Sequence, residues 1–377
     1  MEPITVLIID NDILVRRAIT TILQKHQEFR VFWSDGECED VVTCTKEKQP
    51  DIVLLSIQSI EGNGLDKLQR LKSAFAQLPI VVLSPRDEEG AQAAITSLRL
   101  GAIDFITKPE TENLILFAER HLEKRLQPLL KAIRKIGTYD NLNKGILESY
   151  IHPQKSFEDL HSGSLEDQSI EITVMGGCTG GVQSLFNMLG NLPVDLDFPI
   201  VIVQHLPRVF TKYLTTNLDR ACAISVQEME DGAQLLPGSV YIAPGGYQCE
   251  VSKSGLNKYV ATVYRGAREH SMRPSIDVLF RSAARAGGSK VMGVLLSGCG
   301  RDGLAGMEAI HKQGGQVIVE DPRTAIAPIL PLKAMMKGIV KAYYPSEDIA
   351  RALTSLSVSS SGKKAEEDTK QATNFIF

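Results

Sequence analysis

Three residues that could together catalyse hydrolysis follow three separate apolar runs in the second half of this 377-residue chain. Cys178 lies in the turn GGCTGG, His205 in QHLP and Asp302 in SGCGRDG. A nucleophile, an imidazole and a carboxylate are the parts of a hydrolytic triad, in which the carboxylate orients the histidine and the histidine activates the nucleophile. Their chain order matches none of the three familiar orders of serine hydrolases and proteases, so those families gain no support.

The glycine-rich turn around Cys178 has two possible uses. It could cradle phosphate, but Cys178 stands where the dinucleotide fingerprint needs its middle glycine, and no Lys-Ser/Thr pair follows as in a P-loop. A nucleotide-binding protein is therefore the weaker interpretation. Alternatively, Cys178 is a nucleophile beside the N–H groups of Thr179 or Gly180, which could face a developing oxyanion. A cysteine alone is as easily a small buried residue, so the trio of residues favours catalysis.

A second group of polar residues follows predicted strands in the first half of the chain. The group consists of Asp10, Asn11, Ser56, Ser84 and Lys108. Ligands of an open parallel sheet bind outside the carboxyl ends of its strands, so these five residues are expected to share one crevice. A single such residue would be interpreted as an ordinary loop residue, but five at successive strand ends favour a site.

The elements that must position these residues are short apolar runs separated by amphipathic stretches. In the first half, five βα units around a parallel sheet are predicted. The second half is predicted to be mixed α/β, with helices after its first, second and fifth strands. The predicted strands are Val6–Ile9, Arg30–Trp33, Ile52–Leu55, Ile80–Leu83 and Ile103–Ile106, followed by Ile172–Met175, Pro199–Val203, Ser239–Ile242, Tyr259–Tyr264, Val291–Leu296 and Gln316–Val319.

These patterns divide the chain into two domains joined by a linker. The first domain is predicted over residues 1–125 and the second over 170–355. The connection, 126–169, contains the end of a predicted helix that runs from Leu114 to Ile136. A polar stretch from Gly137 to Ser169 makes up the rest of it. Residues 356–377 are rich in Ser, Lys and Glu, and we expect this tail to be disordered because it has little apolar surface to bury.

Composition excludes several classes of function. The net charge of −4 provides no basic stripe for nucleic acid, and no apolar run approaches the length of a membrane span. The segment MEPITVLIID has no basic region followed by a cleavable apolar stretch, so we do not expect it to be a signal peptide. The six cysteines form no CxxC pair, which argues against zinc and redox motifs and fits the reducing cytoplasm.

Residues 1 to about 125 resemble a response-regulator receiver domain in the segments VLIIDNDILVRRAI, PDIVLLS, VVLSP and GAIDFITKP. The resemblance implies an acidic pair that binds Mg²⁺ and an aspartate that accepts a phosphoryl group. It also implies a Ser or Thr and a Lys that bind the phosphoryl oxygens, here Ser84 and Lys108. Asn11 replaces the second acid and Ser56 the acceptor, so we expect the fold without the phosphorylation chemistry, and at most weak metal binding through Asp10.

Residues 170 to about 350 resemble the catalytic domain of the chemotaxis protein-glutamate methylesterases. The matching segments are VMGGCTGGVQSL, VIVQHLPRVFT, DGAQLLPGSVYIAPGG, RPSIDVLF and LLSGCGRDGLAGM, in family order. The resemblance implies a doubly wound α/β domain that hydrolyses glutamate γ-methyl esters on the cytoplasmic part of chemoreceptors and deamidates receptor glutamines, without a cofactor. It further implies methylated chemoreceptors and a chemotaxis histidine kinase as partners.

By position, Cys178 stands for the family's serine nucleophile, followed by Thr179, with His205 and Asp302 completing the triad. Cys299 occupies the place of a methionine near the site. Two interpretations remain open. In the first, the thiol replaces the serine in a working esterase. In the second, the chain is a catalytically silent relative that acts as a signalling or receptor-binding module.

Overall fold

The computed structural model describes residues 3–34, 40–58, 63–108, 130, 165, 168–255 and 258–357. The chain divides into two compact units, Met1–Ile146 and Leu147–Phe377. Most of the predicted helix Leu114–Ile136, of the predicted linker and of the tail lies outside the described residues. The domain boundaries at 125, 170 and 355 therefore stay predictions.

The N-terminal unit contains the predicted five-stranded parallel sheet, in the order β2-β1-β3-β4-β5. Its central strands β1, β3 and β4 are near-continuous apolar runs, as expected of strands covered on both faces. The elements are β1 Ile4–Ile9, α1 Ile13–Gln24, β2 Phe29–Ser34, α2 Val41–Lys48, β3 Ile52–Ser56, α3 Gly64–Ala74, β4 Ile80–Ser84, α4 Glu88–Arg99 and β5 Asp104–Thr107.

The register of this sheet brings the strand ends together at one edge. Ile9 pairs with Leu55, Ser56 pairs with Leu83, and Ser84 pairs with Thr107. Helix α1 begins directly after β1 because Asp12 accepts hydrogen bonds from the N–H groups of Leu14 and Val15. Such an N-cap contributes about 1 kcal/mol to helix stability.

The C-terminal unit is built on a seven-stranded parallel sheet in the order β15-β14-β13-β6-β7-β10-β8. The chain winds outward from β6 first on one side and then, from β13, on the other, which confirms the predicted doubly wound α/β fold. The strands are β6 Ile172–Gly177, β7 Ile200–Gln204, β8 Ser225–Glu228, β10 Ser239–Ile242, β13 Val291–Leu295, β14 Gln316–Glu320 and β15 Ala342–Tyr344.

Helices cover this sheet, and each of the three predicted from the strand pattern is present. The segment between β8 and β10 and the segment between β10 and β13 together add a second, antiparallel sheet in the order β11-β12-β9. The helices are α5 Gly181–Leu189, α6 Arg208–Ala221, α7 Ile276–Gly287, α8 Leu304–Lys312 and α9 Ile329–Met335, and residues 346–357 are also helical. The small sheet comprises β9 Gln234–Leu235, β11 Gln248–Gly255 and β12 Lys258–Tyr264.

Four strands were not predicted, and their composition explains why. β8 (SVQE), β9 (QL) and β15 (AYY) are too short for a period to be recognised, and the second half of β11 (QCEVSKSG) is polar and exposed. The predicted strand Tyr259–Tyr264 exists, but it pairs with β11 and β9 rather than in the main sheet. Over the part of the chain that is described, no helix is long and apolar enough to cross a membrane.

Candidate active site

Cys178 lies at the point where the winding of the large sheet reverses. It follows β6 directly, and its backbone N–H donates to the carbonyl of Ser297, which follows the neighbouring strand β13, at 3.0 Å. A Cβ atom at Gly298 would come within 3.1 Å of the Cys178 Cβ. The thiol is half-buried between these two loops. Ligands of doubly wound sheets bind at such a reversal, so Cys178 is placed where a substrate would be bound.

Gln204, at the end of β7, holds the turn that carries Cys178. Its Nε2 atom donates to the Cys178 carbonyl at 2.6 Å. A Cβ at Gly177 or Gly181 would lie 2.4 or 2.5 Å from the Gln204 Oε1 atom, so a side chain at either position would displace the Gln204 amide. Gly180 has a φ of +76°, and a Cβ there would lie 2.6 Å from the Ser297 hydroxyl. The glycines of the motif therefore allow the close packing of this turn.

His205 and Asp302 meet beside this turn. The Nε2 atom of His205 lies 2.8 Å from Oδ2 of Asp302, and both side chains are largely buried. The His205 backbone N–H donates to the Gly177 carbonyl at 3.1 Å, which ties the histidine loop to the cysteine turn. The Cys178 side chain interacts electrostatically with His205, whose Nδ1 atom is buried and has no hydrogen-bond partner among the described residues. The structure thus brings the three predicted residues together.

Asp302 is held by the N-terminus of α7. Its carboxylate accepts the N–H groups of Ile276 at 2.9 Å and Asp277 at 3.0 Å, and the Ser275 hydroxyl at 2.7 Å. With His205 this makes four donors around one carboxylate. Positive partial charge at a helix N-terminus stabilises an anion, so the fold keeps Asp302 ionised and fixed in position.

The protonation of the pair follows from these contacts. Burial alone lowers the pKa of His205, but its hydrogen bond to Asp302 and its interaction with Cys178 outweigh burial and raise the pKa to about 10. Burial alone raises the pKa of Asp302, but the hydrogen bond from His205 and the positive charge on that ring hold it below its usual value. At neutral pH, His205 is therefore an imidazolium. A positive charge beside a cysteine favours its thiolate.

The residues after Cys178 offer backbone donors for an oxyanion. Within the described chain, the N–H groups of Thr179 and Gly180 have no hydrogen-bond acceptor, whereas the N–H of Gly181 already donates to the Cys178 carbonyl. The Thr179 hydroxyl lies 4.0 Å from the Cys178 Sγ atom. Cys299 is half-buried in the loop after β13, adjacent to Gly298. Thr179 and Gly180 thus adjoin the residue that carries the thiol, and Cys299 adjoins Gly298, which packs against it.

A buried carboxyl group lies behind the turn. Glu320 Oε2 accepts the Ser297 backbone N–H and the Ser184 hydroxyl, each at 2.7 Å. The Ser297 hydroxyl in turn donates to the Thr179 carbonyl at 2.9 Å. Burial raises the pKa of Glu320 to about 7, although these hydrogen bonds oppose the rise. Glu320 therefore positions the loop that carries Ser297 and supports the Cys178 turn without touching the thiol.

Sequence analysis missed three of these residues, namely Gln204, Ser275 and Glu320. Gln204 is adjacent to His205 in the motif QHLP. The signal that the sequence offered for it is the pair of glycines, Gly177 and Gly181, against which its side chain packs. Ser275 lies 27 residues before Asp302, so only the fold brings the two together. Glu320 follows an apolar strand and resembles any acidic residue at the start of a loop.

In the N-terminal unit, two basic side chains, those of Lys108 and Arg16, contact Asp10 at the strand ends. Lys108 Nζ lies 2.8 Å from Asp10 Oδ2 and 3.0 Å from Oδ1. The guanidinium of Arg16, itself buried, donates to the Asp10 carbonyl at 2.6 Å. Asp10 is thus brought together with Lys108 as predicted, and its charge is already balanced within the protein.

The other predicted pocket residues, Asn11, Ser56 and Ser84, offer no further carboxylate. The Ser84 hydroxyl donates to the carbonyls of Gly90 at 2.7 Å and Pro85 at 3.0 Å. Its proton is therefore used in hydrogen bonds at the start of α4. Asn11 is exposed, and Ser56 is half-buried at the end of β3. Magnesium needs several oxygen ligands with negative charge. The donor set of one neutralised carboxylate does not fit that ion.

Another cluster has residue types that bind metals, but its charges are paired. Ligand atoms of Glu269, His270 and Asp277 lie within 4.8 Å of one another. Arg281 donates twice to Glu269, at 2.8 and 2.6 Å, and His270 Nε2 lies 3.2 Å from Asp277 Oδ2. The members of the cluster therefore contact one another and Arg281, and they support the N-terminal part of α7.

Comparison with known proteins gives consistent matches over both units. Residues 173–353 match the family model described as CheB methylesterase, and residues 6–118 match that of the response regulator receiver domain. A protein-glutamate methylesterase/protein-glutamine glutaminase of Trichodesmium erythraeum is 32% identical over 354 residues, covering 94% of this chain and 99% of that protein. A protein of the same name from Clostridium acetobutylicum is 32% identical over 350 residues, covering 93% and 96%. The crystal structure of the Thermotoga maritima CheB methylesterase catalytic domain is 35% identical, covers 50% of this chain and 100% of that one, and has a TM-score of 0.48.

Proposed function

The chain belongs to the CheB family of protein-glutamate methylesterases, and we propose that it hydrolyses glutamate γ-methyl esters on the cytoplasmic domains of chemoreceptors with Cys178 as the nucleophile. We extend the proposal to the deamidation of receptor glutamines, since the same attack on an amide carbonyl releases ammonia. The protein acts in the cytoplasm, where it meets these receptor domains and the chemotaxis histidine kinase. It needs no cofactor for hydrolysis.

The observation that carries this proposal is the hydrogen bond between His205 and Asp302, in a site where the imidazole ring also interacts electrostatically with Cys178. Because Nε2 of His205 donates to Asp302 at 2.8 Å, the remaining ring nitrogen, Nδ1, is the one that can exchange a proton with sulfur. The carboxylate fixes the ring and stabilises its positive charge. The arrangement therefore has the form of a thiolate–imidazolium pair.

The reaction proceeds in two balanced halves. The Cys178 thiolate attacks the ester carbonyl carbon, and the N–H groups of Thr179 and Gly180 donate to the oxyanion. The tetrahedral species collapses to a thioester as the methoxide leaves, taking the proton of the His205 imidazolium to form methanol. Water then attacks the thioester while neutral His205 accepts one of its protons, and cleavage of the C–S bond returns the thiolate–imidazolium pair. The glutamic acid product loses the second proton to solvent and leaves as the carboxylate.

The high pKa of His205, which Cys178 itself helps to raise, is consistent with a cysteine nucleophile in this site. A serine hydroxyl needs a neutral imidazole to remove its proton during attack. With its pKa raised to about 10 by Asp302 and Cys178 against the effect of burial, His205 is protonated at neutral pH. A thiolate is nucleophilic without a base, and the imidazolium is already the acid that the leaving methoxide requires.

The test is methanol release from a methylated chemoreceptor by the full-length protein. Wild-type protein is expected to release methanol, and Cys178→Ala to release none. His205→Ala should reduce the rate to nearly the same level. Cys222→Ala, which removes a thiol outside the site, is the matched control and should match wild type. A Cys178→Ala variant as active as wild type would refute the assignment.

The alternative function, a silent module that binds receptors, has its own outcome in this experiment. It predicts that wild-type protein releases no methanol but binds receptor. Release by Cys178→Ser but not by wild-type protein would then identify a site built for serine in which the cysteine has ended catalysis.

A further inference from the structure

Three arginines surround one tyrosine beside the catalytic histidine. The guanidinium carbons of Arg208 and Arg265 lie 4.9 and 5.5 Å from the centre of the Tyr247 ring. A hydrogen bond with Arg265, together with the positive fields of Arg208 and Arg273, lowers the pKa of the Tyr247 phenol. We call Arg208, Arg265 and Arg273 the arginine rim. Their positive charges are concentrated around a single side chain.

The charge of the arginine rim is only partly compensated by the described residues. Glu228 is the one described carboxylate within salt-bridge distance of these guanidinium groups, and it lies 3.8 Å from Arg208. Arg208 and Arg265 are exposed, and Arg273 is half-buried. Like charges held together repel one another, and such a surface attracts anionic partners and speeds their encounter.

The rim adjoins the catalytic residues through tightly packed backbone. Arg208 begins α6, three residues after His205. A Cβ at Gly245 would lie 2.4 Å from the Arg208 nitrogen, so the loop that carries Tyr247 packs directly against the histidine loop. The Arg273 carbonyl accepts the N–H of Gly246 at 3.0 Å. Two residues later, Ser275 donates to Asp302.

We propose that the arginine rim binds an acidic segment of the protein substrate and so guides its glutamyl side chain to Cys178. This inference rests on the proposed function, in which the substrate is a polypeptide. Carboxylates that flank the reacting side chain would pair with the guanidinium groups, which match carboxylates in shape and charge. The net charge of −4 for the whole chain disfavours a nucleic acid as the polyanion.

Binding of labelled peptides tests the rim without turnover. The full-length Cys178→Ala protein is titrated into a fluorescent peptide with one glutamine flanked by Asp and Glu, and into a matched peptide with Asn and Gln at the flanks. Fluorescence anisotropy should give an affinity about tenfold higher for the acidic peptide, or about 1.4 kcal/mol. This preference should fall as ionic strength rises through about 0.1 M, where the Debye length is about 10 Å.

Paired substitutions locate the effect. In the same Cys178→Ala background, Arg208→Gln with Arg265→Gln should remove most of the preference and its salt dependence. Arg351→Gln is the matched control, because this side chain is 80% exposed in the C-terminal helical segment. It should leave both affinities unchanged. A thermal melt followed by circular dichroism checks the fold, and Arg265→Gln alone serves if the double variant does not fold.

Several results would overturn the inference. The first is that protein with an unsubstituted rim binds the two peptides with equal affinity. The second is that Arg351→Gln loses as much of the preference for the acidic peptide as the rim variant does. The third is that a single-stranded oligonucleotide displaces the acidic peptide by binding to the rim. The outcome is separate from that of the proposed function. Methanol release without any preference for the acidic peptide would refute the role of the arginine rim alone. Preference for the acidic peptide without methanol release would refute the esterase activity alone.

Discussion

Nε2 of His205 lies 2.8 Å from Oδ2 of Asp302, and the carboxylate that it meets is held in place by the first turn of α7. The aspartate therefore does not depend on the histidine for its position. The histidine does depend on the aspartate for its proton, because burial alone would lower its pKa.

Selective alkylation should identify Cys178 as the activated thiol. Iodoacetamide at pH 7 is expected to modify Cys178 first. Burial raises the pKa of Cys249 to about 12 and also raises the pKa of Cys222, so these two should react far more slowly. Peptide mapping by mass spectrometry measures the rates. His205→Gln should slow the reaction at Cys178 and leave Cys222 unchanged, and faster modification of Cys222 than of Cys178 would contradict the ion pair.

The pair of His205 and Asp302 should stabilise the fold at neutral pH and lose this effect in alkali. Because the folded pKa of His205 is about 10 against 6.5 in the unfolded chain, the folded state binds the proton more tightly. The contribution is complete below pH 6.5 and disappears as pH rises through about 10. We expect the difference in unfolding free energy between wild type and His205→Gln to shrink from pH 7 to pH 10.5. Denaturant melts at both pH values measure it, and a constant difference would disprove the assignment.

Glu320→Gln should stabilise the protein at mildly alkaline pH. The folded pKa of Glu320 is about 7 against 4.5 unfolded, so its neutral form favours folding and that benefit is lost as pH rises through about 7. A glutamine can still accept from Ser297 and Ser184 but carries no charge. We expect a gain of roughly 1–3 kcal/mol at pH 8 and little gain at pH 5. Glu230→Gln, at an exposed position, is the control, and a loss of stability at pH 8 would show that the charge is needed.

The activity of Cys178→Ser should depend on pH differently from that of wild type. Without the thiol, one of the interactions that raise the pKa of His205 is lost, so this pKa should fall. The serine variant needs neutral His205 and should therefore gain rate towards alkaline pH, whereas wild type should lose rate as His205 deprotonates near pH 10. Methanol release across pH 6–10.5 gives both profiles, and coincident profiles would argue against the thiolate–imidazolium pair.

The N-terminal unit should not accept a phosphoryl group from acetyl phosphate. Ser56 provides no carboxylate, and Lys108 and Arg16 already bind Asp10. Intact-mass analysis after incubation with Mg²⁺ should detect no added phosphoryl group. The double variant Asn11→Asp with Ser56→Asp restores both missing acids and should gain an acid-stable, alkali-labile adduct. An adduct on Asp10 or Asp12 in wild type would mean that another carboxylate has taken over.

The arrangement of the site could be predicted where strand ends determine it. Cys178, His205 and Asp302 each follow a clear apolar strand, and parallel strands bring their carboxyl ends to one edge. The same rule placed Lys108 near Asp10, 98 residues away. It could not place Ser275 against Asp302, because α7 begins in a segment whose approach to the site depends on the packing of an added antiparallel sheet.

Burial and protonation were also beyond the sequence. The motif QHLP does not reveal that Gln204 fills the space left by Gly177 and Gly181. Nor does the run VIVEDP distinguish a buried Glu320 from a solvated one. Both depend on which neighbours exclude water, and those neighbours come from strands distant in the chain.

Because α7 anchors Asp302 with three donors that are independent of His205, the nucleophile and the histidine can change while the aspartate and its loop keep their places. Substitution during evolution at position 178 therefore costs the scaffold little. A lineage could exchange serine for cysteine, or give up catalysis, and still inherit a folded surface. The same anchoring leaves room for the enzyme to diverge in chemistry faster than in shape.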